Sequence, residues 1–254
     1  MHHISTRFKL KLLPLMLPLK FYCLHKPGHR AFTLLEMLVV IAIIAVLAAL
    51  AFPLASRMIA SGQTAKATSN LRQIGVLVSA YAAENNNRLP PLRLGWGIGT
   101  NPENYVFFQN LLRKNTGLPY DEGRFKADQT WLPEIFYDPM VKAGQQHLWG
   151  CFGANDAIIR PDFPGGTPVI SIGSPSRKVI VASAADSSGS RFRSSWLIFG
   201  QEWVSQGEAC TLPRPDPRHG GKTLCLFADG HIERLDTAKM TPAERQEYFL
   251  PDAN

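Results

Sequence analysis

The sequence predicts an α+β chain: one long N-terminal helix, membrane-spanning in its first half, packed on a small antiparallel β-sheet head. Three observations carry this. From Met37 to Ser56 there is no charged residue. From Ala60 to Tyr81, apolar and small residues recur at alternating spacings of four and three. From Val169 onward, short apolar runs alternate with turn clusters, and the last pair of runs flanks Asp229-Gly230.

Residues 1–31 read as a basic leader. They hold Arg7, Lys9, Lys11, Lys20, Lys26 and Arg30 and no acid, six of the 27 basic residues. The remaining 21 face 20 acidic residues, so the net charge of +7 belongs almost wholly to the leader. Lys and Arg are retained on the cytoplasmic side of a membrane, which puts the N-terminus inside and everything after about Arg57 outside. A near-neutral remainder excludes a phosphate-backbone binder, so no nucleic-acid partner is expected. Leu12 to Leu19 is apolar with two prolines and too short to span; it reads as an interfacial piece, or as residue left by a start at Met1 when Met16 is the true one.

Residues 32–56 are the predicted transmembrane helix. Twenty helical residues cover about 30 Å, the hydrocarbon thickness of a bilayer. Glu36 stands one residue before the uncharged run, and an acid at the edge of a membrane calls for a partner. An ordinary single-pass anchor needs no Glu36. A secretory signal peptide cut near Ala49-Leu50-Ala51 has a shorter apolar stretch and a shorter approach to it.

Ala31, Phe32, Thr33, Leu34, Leu35 and Glu36, behind a basic flank and ahead of the apolar run, resemble the N-terminal signature of type IV prepilins and type II secretion pseudopilins. The resemblance implies cleavage between Ala31 and Phe32 by a membrane-embedded prepilin peptidase, and N-methylation of Phe32 by the same class of enzyme. It also implies that the Glu36 carboxylate pairs with the freed amine of a neighbouring subunit. Pro53 falls where pilin helices often carry a proline and a local break. Ala31 stands where the family usually has Gly.

Residues 57–91 continue the helix to about Glu84. Ala60, Thr64, Ala67, Leu71, Ile74, Val78 and Tyr81 form one face, and Arg57, Gln63, Lys66, Ser69, Arg72, Gln73 and Glu84 form a solvated one. Asn85-Asn86-Asn87 and Pro90-Pro91 end it, because Asn tolerates the left-handed cap and Pro cannot continue a helix. Residues 92–254 are the head. Its first part, 92–165, interleaves Trp96, Tyr105, Phe107, Phe108, Trp131, Phe136, Tyr137, Trp149 and Phe152 with Gly, Pro and Asn. It reads as a variable insert of loops and short strands around a short helix at Gln109–Lys114, its aromatics serving as core rather than as a ligand platform.

Val179–Ala182 and Trp196–Phe199 read as strands, the first followed by a turn cluster at 186–190 and the second ended by Gly200. Residues 223–235 read as a hairpin with a two-residue type I′ turn at Asp229-Gly230, which places Ala228 opposite His231 and Leu226 opposite Glu233. His219, nine residues, then Asp229-Gly230 resembles the C-terminal signature of a group of pseudopilin-like proteins that share the Phe-Thr-Leu-x-Glu start. Here His219 is expected to pin the loop, with Asp229 and Gly230 chosen for the turn.

Of the cysteines outside the leader, Cys151, Cys210 and Cys225, a Cys210–Cys225 bridge would close a short loop, but three buried free thiols are the favoured reading. His147 and Cys151 lack a second pair for zinc. Asp186, Asp216 and Asp229 lack a calcium-loop spacing. No phosphate loop, Gly-x-Ser-x-Gly elbow or His-Glu-x-x-His occurs. The sequence therefore predicts no enzyme, cofactor or metal. It predicts a pseudopilin or minor pilin: a structural subunit in the cytoplasmic membrane whose partners are the prepilin peptidase/methyltransferase, other pilin-like subunits and the lipid bilayer. The alternative is a membrane-tethered ligand-binding or enzymatic domain on a pilin-like anchor, with its function in residues 92–165.

Overall fold

The computed structural model describes residues 33–94, 106–115, 132–147, 150–160, 166–186, 193–195 and 197–252. The chain divides into two compact units, Met1–Leu50 and Ala51–Asn254. In the first, the described residues are the start of helix α1 (Leu34–Glu84), every one of them exposed. The exposure continues to Ile59, and the helix passes through Pro53 without interruption, in place of the expected local break.

In the second unit, Ala67, Asn70, Leu71, Ile74, Gly75, Val78, Tyr81 and Ala82 are buried along α1, following the four-three stripe. Asn86 and Asn87 then take φ of 53° and 59°, and the Asn87 N–H donates to the Ala82 carbonyl, so the helix stops on left-handed Asn as its composition dictates.

The head is built on one mixed sheet. Its central path runs β6 (Leu197–Ile198), β3 (Phe152–Asn155), β4 (Val179–Asp186), β8 (Thr223–Phe227), β9 (Ile232–Leu235), with β5 (Arg193–Ser194) and β7 (Arg214–Pro215) also paired to β4. The pairs are antiparallel, as expected, apart from the short edge pair β3–β6, which is parallel. A small separate ladder joins β1 (Arg93–Leu94) to β2 (Val106–Phe107). Strand β4 reads VIVASAAD and is buried up to its final Asp, the near-continuous apolar run expected of a strand covered on both faces.

Two hydrophobic clusters lie on the two faces. One gathers Leu71, Ile74 and Val78 of α1 with Leu112 of α2 (Phe108–Asn115), Phe136, Phe152, Leu224 and Leu226. The other gathers Ala182, Ala184, Cys225, Phe227 and Leu235 with Trp203 of α3 (Gly200–Gln206) and Phe249 of α4 (Pro242–Phe249). Alternate residues of β8 thus face opposite helical layers. The layer of α3 and α4 was not anticipated: Gly200 opens a helix rather than merely ending a strand.

The aromatic insert is core where it is described. Phe108, Phe136, Tyr137 and Phe152 are buried, while Trp96, Tyr105, Trp131 and Trp149 lie outside the described residues. The short helix is Phe108–Asn115. Trp196 and residues 187–190 of the expected turn cluster also lie outside the described residues. Cys151, Cys210 and Cys225 are free and buried, and burial pushes each thiol above its ordinary pKa.

Candidate functional site

Two arrangements hold the singled-out residues. The first opens α1. Thr33 stands just before the helix, and its hydroxyl accepts from the Glu36 N–H at 3.2 Å. In return the Glu36 Oε2 accepts from the Thr33 N–H at 2.9 Å and from its hydroxyl at 3.0 Å. This is a reciprocal capping box, in which residue and helix start satisfy each other's orphan groups. The spacing Thr33-x-x-Glu36 is itself the sequence signal for it, and the sequence reading gave Glu36 only an intermolecular role. The carboxylate is also exposed, and its second oxygen has no recorded partner among the described residues. Ala31 and Phe32, the expected cleavage and methylation positions, lie outside the described residues.

The second arrangement lies in the head. The chain from Arg218 to Lys222 makes a tight loop: the His219 N–H donates to the Lys222 carbonyl, and Gly220 and Gly221 take φ of 68° and 80°. That loop turns the His219 ring inward, where it is fully buried. Its Nε2 lies 2.8 Å from Asp138 Oδ2, and its Nδ1 lies 3.3 Å from the Thr64 hydroxyl on α1. A carboxylate only accepts, so Nε2 carries the proton. Asp138 is fully buried as well, and its other oxygen accepts from the Met140 N–H at 2.9 Å. Arg218 Nη1 lies 3.8 Å from Asp138, while its Nε donates to Asp216 at 2.5 Å and its Nη2 to the Ala184 carbonyl at 2.6 Å.

These bonds join three stretches distant in sequence: α1, the insert segment 132–147 and the loop before β8. Asn70 adds a bond from α1 to the Tyr137 carbonyl at 3.1 Å, and the Cys151 N–H donates to the Phe136 carbonyl at 2.8 Å. The His219 ring ties the loop before β8 to Asp138. No spacing points to Asp138, which shares its aromatic stretch with a second acid, Glu134. The chemistry is structural: a buried charge is tolerated when paired and hydrogen-bonded.

Asp229 and Gly230 stay at the hairpin tip. Gly230 alone has positive φ, at 92°, and the Phe227 N–H donates to the His231 carbonyl. The loop is thus three residues, Ala228-Asp229-Gly230, and not a two-residue type I′ turn. The register moves accordingly: Leu226 faces Ile232 and Cys225 faces Glu233, replacing the expected pairing of Leu226 with Glu233, and Phe227 rather than Ala228 sits opposite His231. The Asp229 carboxylate accepts from the His231 N–H at 3.1 Å and lies 2.6 Å from its Nδ1. Partial burial works to raise its pKa, but those hydrogen bonds and the ring's charge outweigh it and hold the carboxyl below the ordinary range. The His231 ring in turn stacks on Phe227, centroids 4.1 Å apart.

The metal candidates are not assembled. His147 and Cys151 do not share a helix, and Cys151 instead sits 3.1 Å from the Ser194 hydroxyl. Asp216 is paired with Arg218 and Asp229 with His231.

Residues 26–52 match the family model for the prokaryotic N-terminal methylation motif, a prepilin-like segment that includes Ala31, Phe32 and Glu36 and ends one residue before Pro53. No curated protein and no solved structure matches the chain. Among the described residues α1 is the one helix long and apolar enough to cross a membrane.

Proposed function

We propose that this chain is a structural subunit, a pseudopilin or minor pilin, of a type II secretion or type IV pilus-like filament. The observation that carries the reading is the coincidence of the methylation motif at 26–52 with a helix start whose apolar residues are all exposed. In water such a surface is untenable; lipid or the helices of like subunits cover it.

Prepilin peptidase cuts between Ala31 and Phe32, and the new amine of Phe32 is methylated. The helix is stored in the cytoplasmic membrane with the head outside. On assembly, the Glu36 carboxylate keeps its bonds to Thr33 and takes the amine of a neighbouring subunit on its second oxygen. One subunit's cation then neutralises another's anion, which fixes helices side by side in register. The resulting contact is heterologous and propagates as a helical filament. The role is assembly rather than catalysis, and the Asp138–His219 linkage serves to hold the head together.

Intact mass and N-terminal sequencing of protein from its own membrane test the processing step, with methylated Phe32 as the expected first residue. A chain still carrying Met1 or Met16 would leave α1 as an anchor only. Glu36→Ala is expected to be processed and inserted normally but to be lost from assemblies. If that variant enters filaments at the wild-type level, the pairing is wrong.

A further inference from the structure

Elsewhere in the head, a cavity of about 170 Å³ is lined by residues that include Ile158, Arg160, Thr167, Ser171, Lys178 and Asp252. Its chemistry is cationic. Lys178 is 2 % exposed, unusual for an ammonium group. It is neutralised by one carboxylate, Asp252 Oδ1 at 2.7 Å, and it donates a second bond to the Glu247 carbonyl at 2.7 Å. An ammonium has three N–H donors, and these two contacts use two of them. Arg160 is exposed and has no acidic partner among the described residues. The hydroxyls on the wall are engaged already: Thr167 donates to the Ile158 carbonyl at 2.8 Å and Ser171 to the Pro168 carbonyl at 2.7 Å. Two cations therefore face one anion.

That anion is the more exposed member of the pair. The Asp252 side chain is 44 % exposed against 3 % for Lys178. It reaches Lys178 by passing over Gly173, where a Cβ would stand 2.4 Å from Asp252 Oδ2. A buried ammonium needs a counter-anion at all times, but nothing in the geometry requires that the anion be attached to this chain.

We propose that this cavity is a binding site for a small oxyanion, a carboxylate or phosphate group, and that Asp252 is its tethered resident. An incoming anion displaces the Asp252 carboxylate, bonds to Lys178 at the base and is met by Arg160. The cavity is well below the roughly 300–1,000 Å³ of drug-sized pockets, so it suits a small group. A tethered carboxylate competes at an effective concentration on the order of millimolar or above. Free anions consequently bind the unaltered protein weakly, and removing the competitor exposes the site.

The test uses the full-length processed chain in detergent, titrated with sodium acetate and, separately, sodium phosphate at constant ionic strength, read by calorimetry and by melting temperature. Asp252→Asn removes the resident charge and leaves both cations and the space beside Gly173 in place. It is expected to bind one of these anions saturably and at least 10-fold more tightly than the wild type, and to melt higher as the anion is added. Gly173→Ala puts a Cβ against the place of the Asp252 Oδ2 and is expected, added to Asp252→Asn, to abolish that binding. Adding Arg160→Gln to Asp252→Asn is expected to loosen binding several-fold; Arg160 is exposed, so this change leaves the fold intact. A preference for phosphate over acetate, or the reverse, identifies the anion class. If Asp252→Asn binds neither anion saturably, or binds them equally with and without Arg160, the Lys178–Asp252 pair is a structural bridge only and the proposal fails. Should Asp252→Asn unfold without added anion, its rescue by acetate or phosphate supports the site and no rescue by either overturns it.

Discussion

Residues Leu34–Ile59 and Ala60–Glu84 belong to one helix, yet they are written for different surroundings. From Met37 to Ala55 the first stretch is apolar on every side, and it is exposed on every side. The second is apolar on one face only, and that face, Ala67, Leu71, Ile74, Val78, is buried to within a few per cent. A helix hydrophobic all round is made for burial in other molecules, whereas a one-sided stripe is made for its own domain. The polar groups follow the same division. Thr33 and Glu36 satisfy each other at the start of the first stretch and ask nothing of the head. Thr64, in the second, reaches His219 and through it Asp138, residues distant in the sequence. The first stretch thus presents its apolar surface outward and the second makes the fold, and substitutions in each should report on different properties.

The largest loss is expected at Asp138. Asp138→Ala leaves the buried His219 ring without its acceptor and takes a carboxylate away from the neighbouring Arg218, and breaking a buried pair on one side costs about 3–5 kcal/mol. Denaturant unfolding of the head, followed by tryptophan fluorescence, reads the change. A loss below about 1 kcal/mol would mean that the linkage contributes little. Next comes Leu71→Ala, at about 2–5 kcal/mol, because Leu71 is fully buried between α1 and the sheet. Ile44→Ala removes as much side chain from the first stretch, where Ile44 is 58 % exposed. It is expected to leave head stability within about 0.5 kcal/mol. Equal losses at Leu71 and Ile44 would erase the distinction between the two stretches.

The same contrast explains what the sequence could reveal. Local rules were legible: the four-three stripe, the Asn stop, the apolar run, and the strong β character of 179–182 and 223–235. Each depends on residues a few positions apart. The hairpin was found but set one residue out, because Asp-Gly fits both a two-residue type I′ turn and the last two positions of a three-residue loop. Only pairing of Phe227 with His231 decides between them, and a one-residue slip changes every cross-strand partner. Asp138 was missed for the opposite reason. Its partner lies 81 positions away, and no periodicity links an acid to a histidine at that distance. The α3 and α4 layer was missed because both helices are short, and Gly200 opens the first where glycine ordinarily reads as a break. In the N-terminal segment Thr33-x-x-Glu36 carries two signals at once, the family signature and a capping box, and the second is local and legible from spacing alone.

That capping box has a twin. Thr241 and Glu244 open α4 with the same three bonds, at 2.7, 2.9 and 3.3 Å, and Pro242 occupies the first helical position. The same four-residue pattern therefore serves a helix of the head and the start of α1, which makes the head's copy a control for the membrane one. Thr241→Ala is expected to cost about 0.5–2 kcal/mol, the ordinary loss of an N-cap. Its pH dependence gives the sharper reading. Bonds from the Thr241 backbone and then its hydroxyl hold the Glu244 carboxyl below its ordinary value of 4.5. The folded state thus favours the ionised form, so the contribution is fully present above 4.5 and is lost as pH falls through the lower folded value. Asp229, also held low, works in the same direction. Unfolding midpoints measured from pH 7 down to pH 3 should fall in the wild type, and fall less steeply in Thr241→Ala, where Glu244 has lost its hydroxyl donor. Parallel acid limbs in the two proteins would mean that the cap carries no linkage, and the same reading of Thr33 and Glu36 would lose its control.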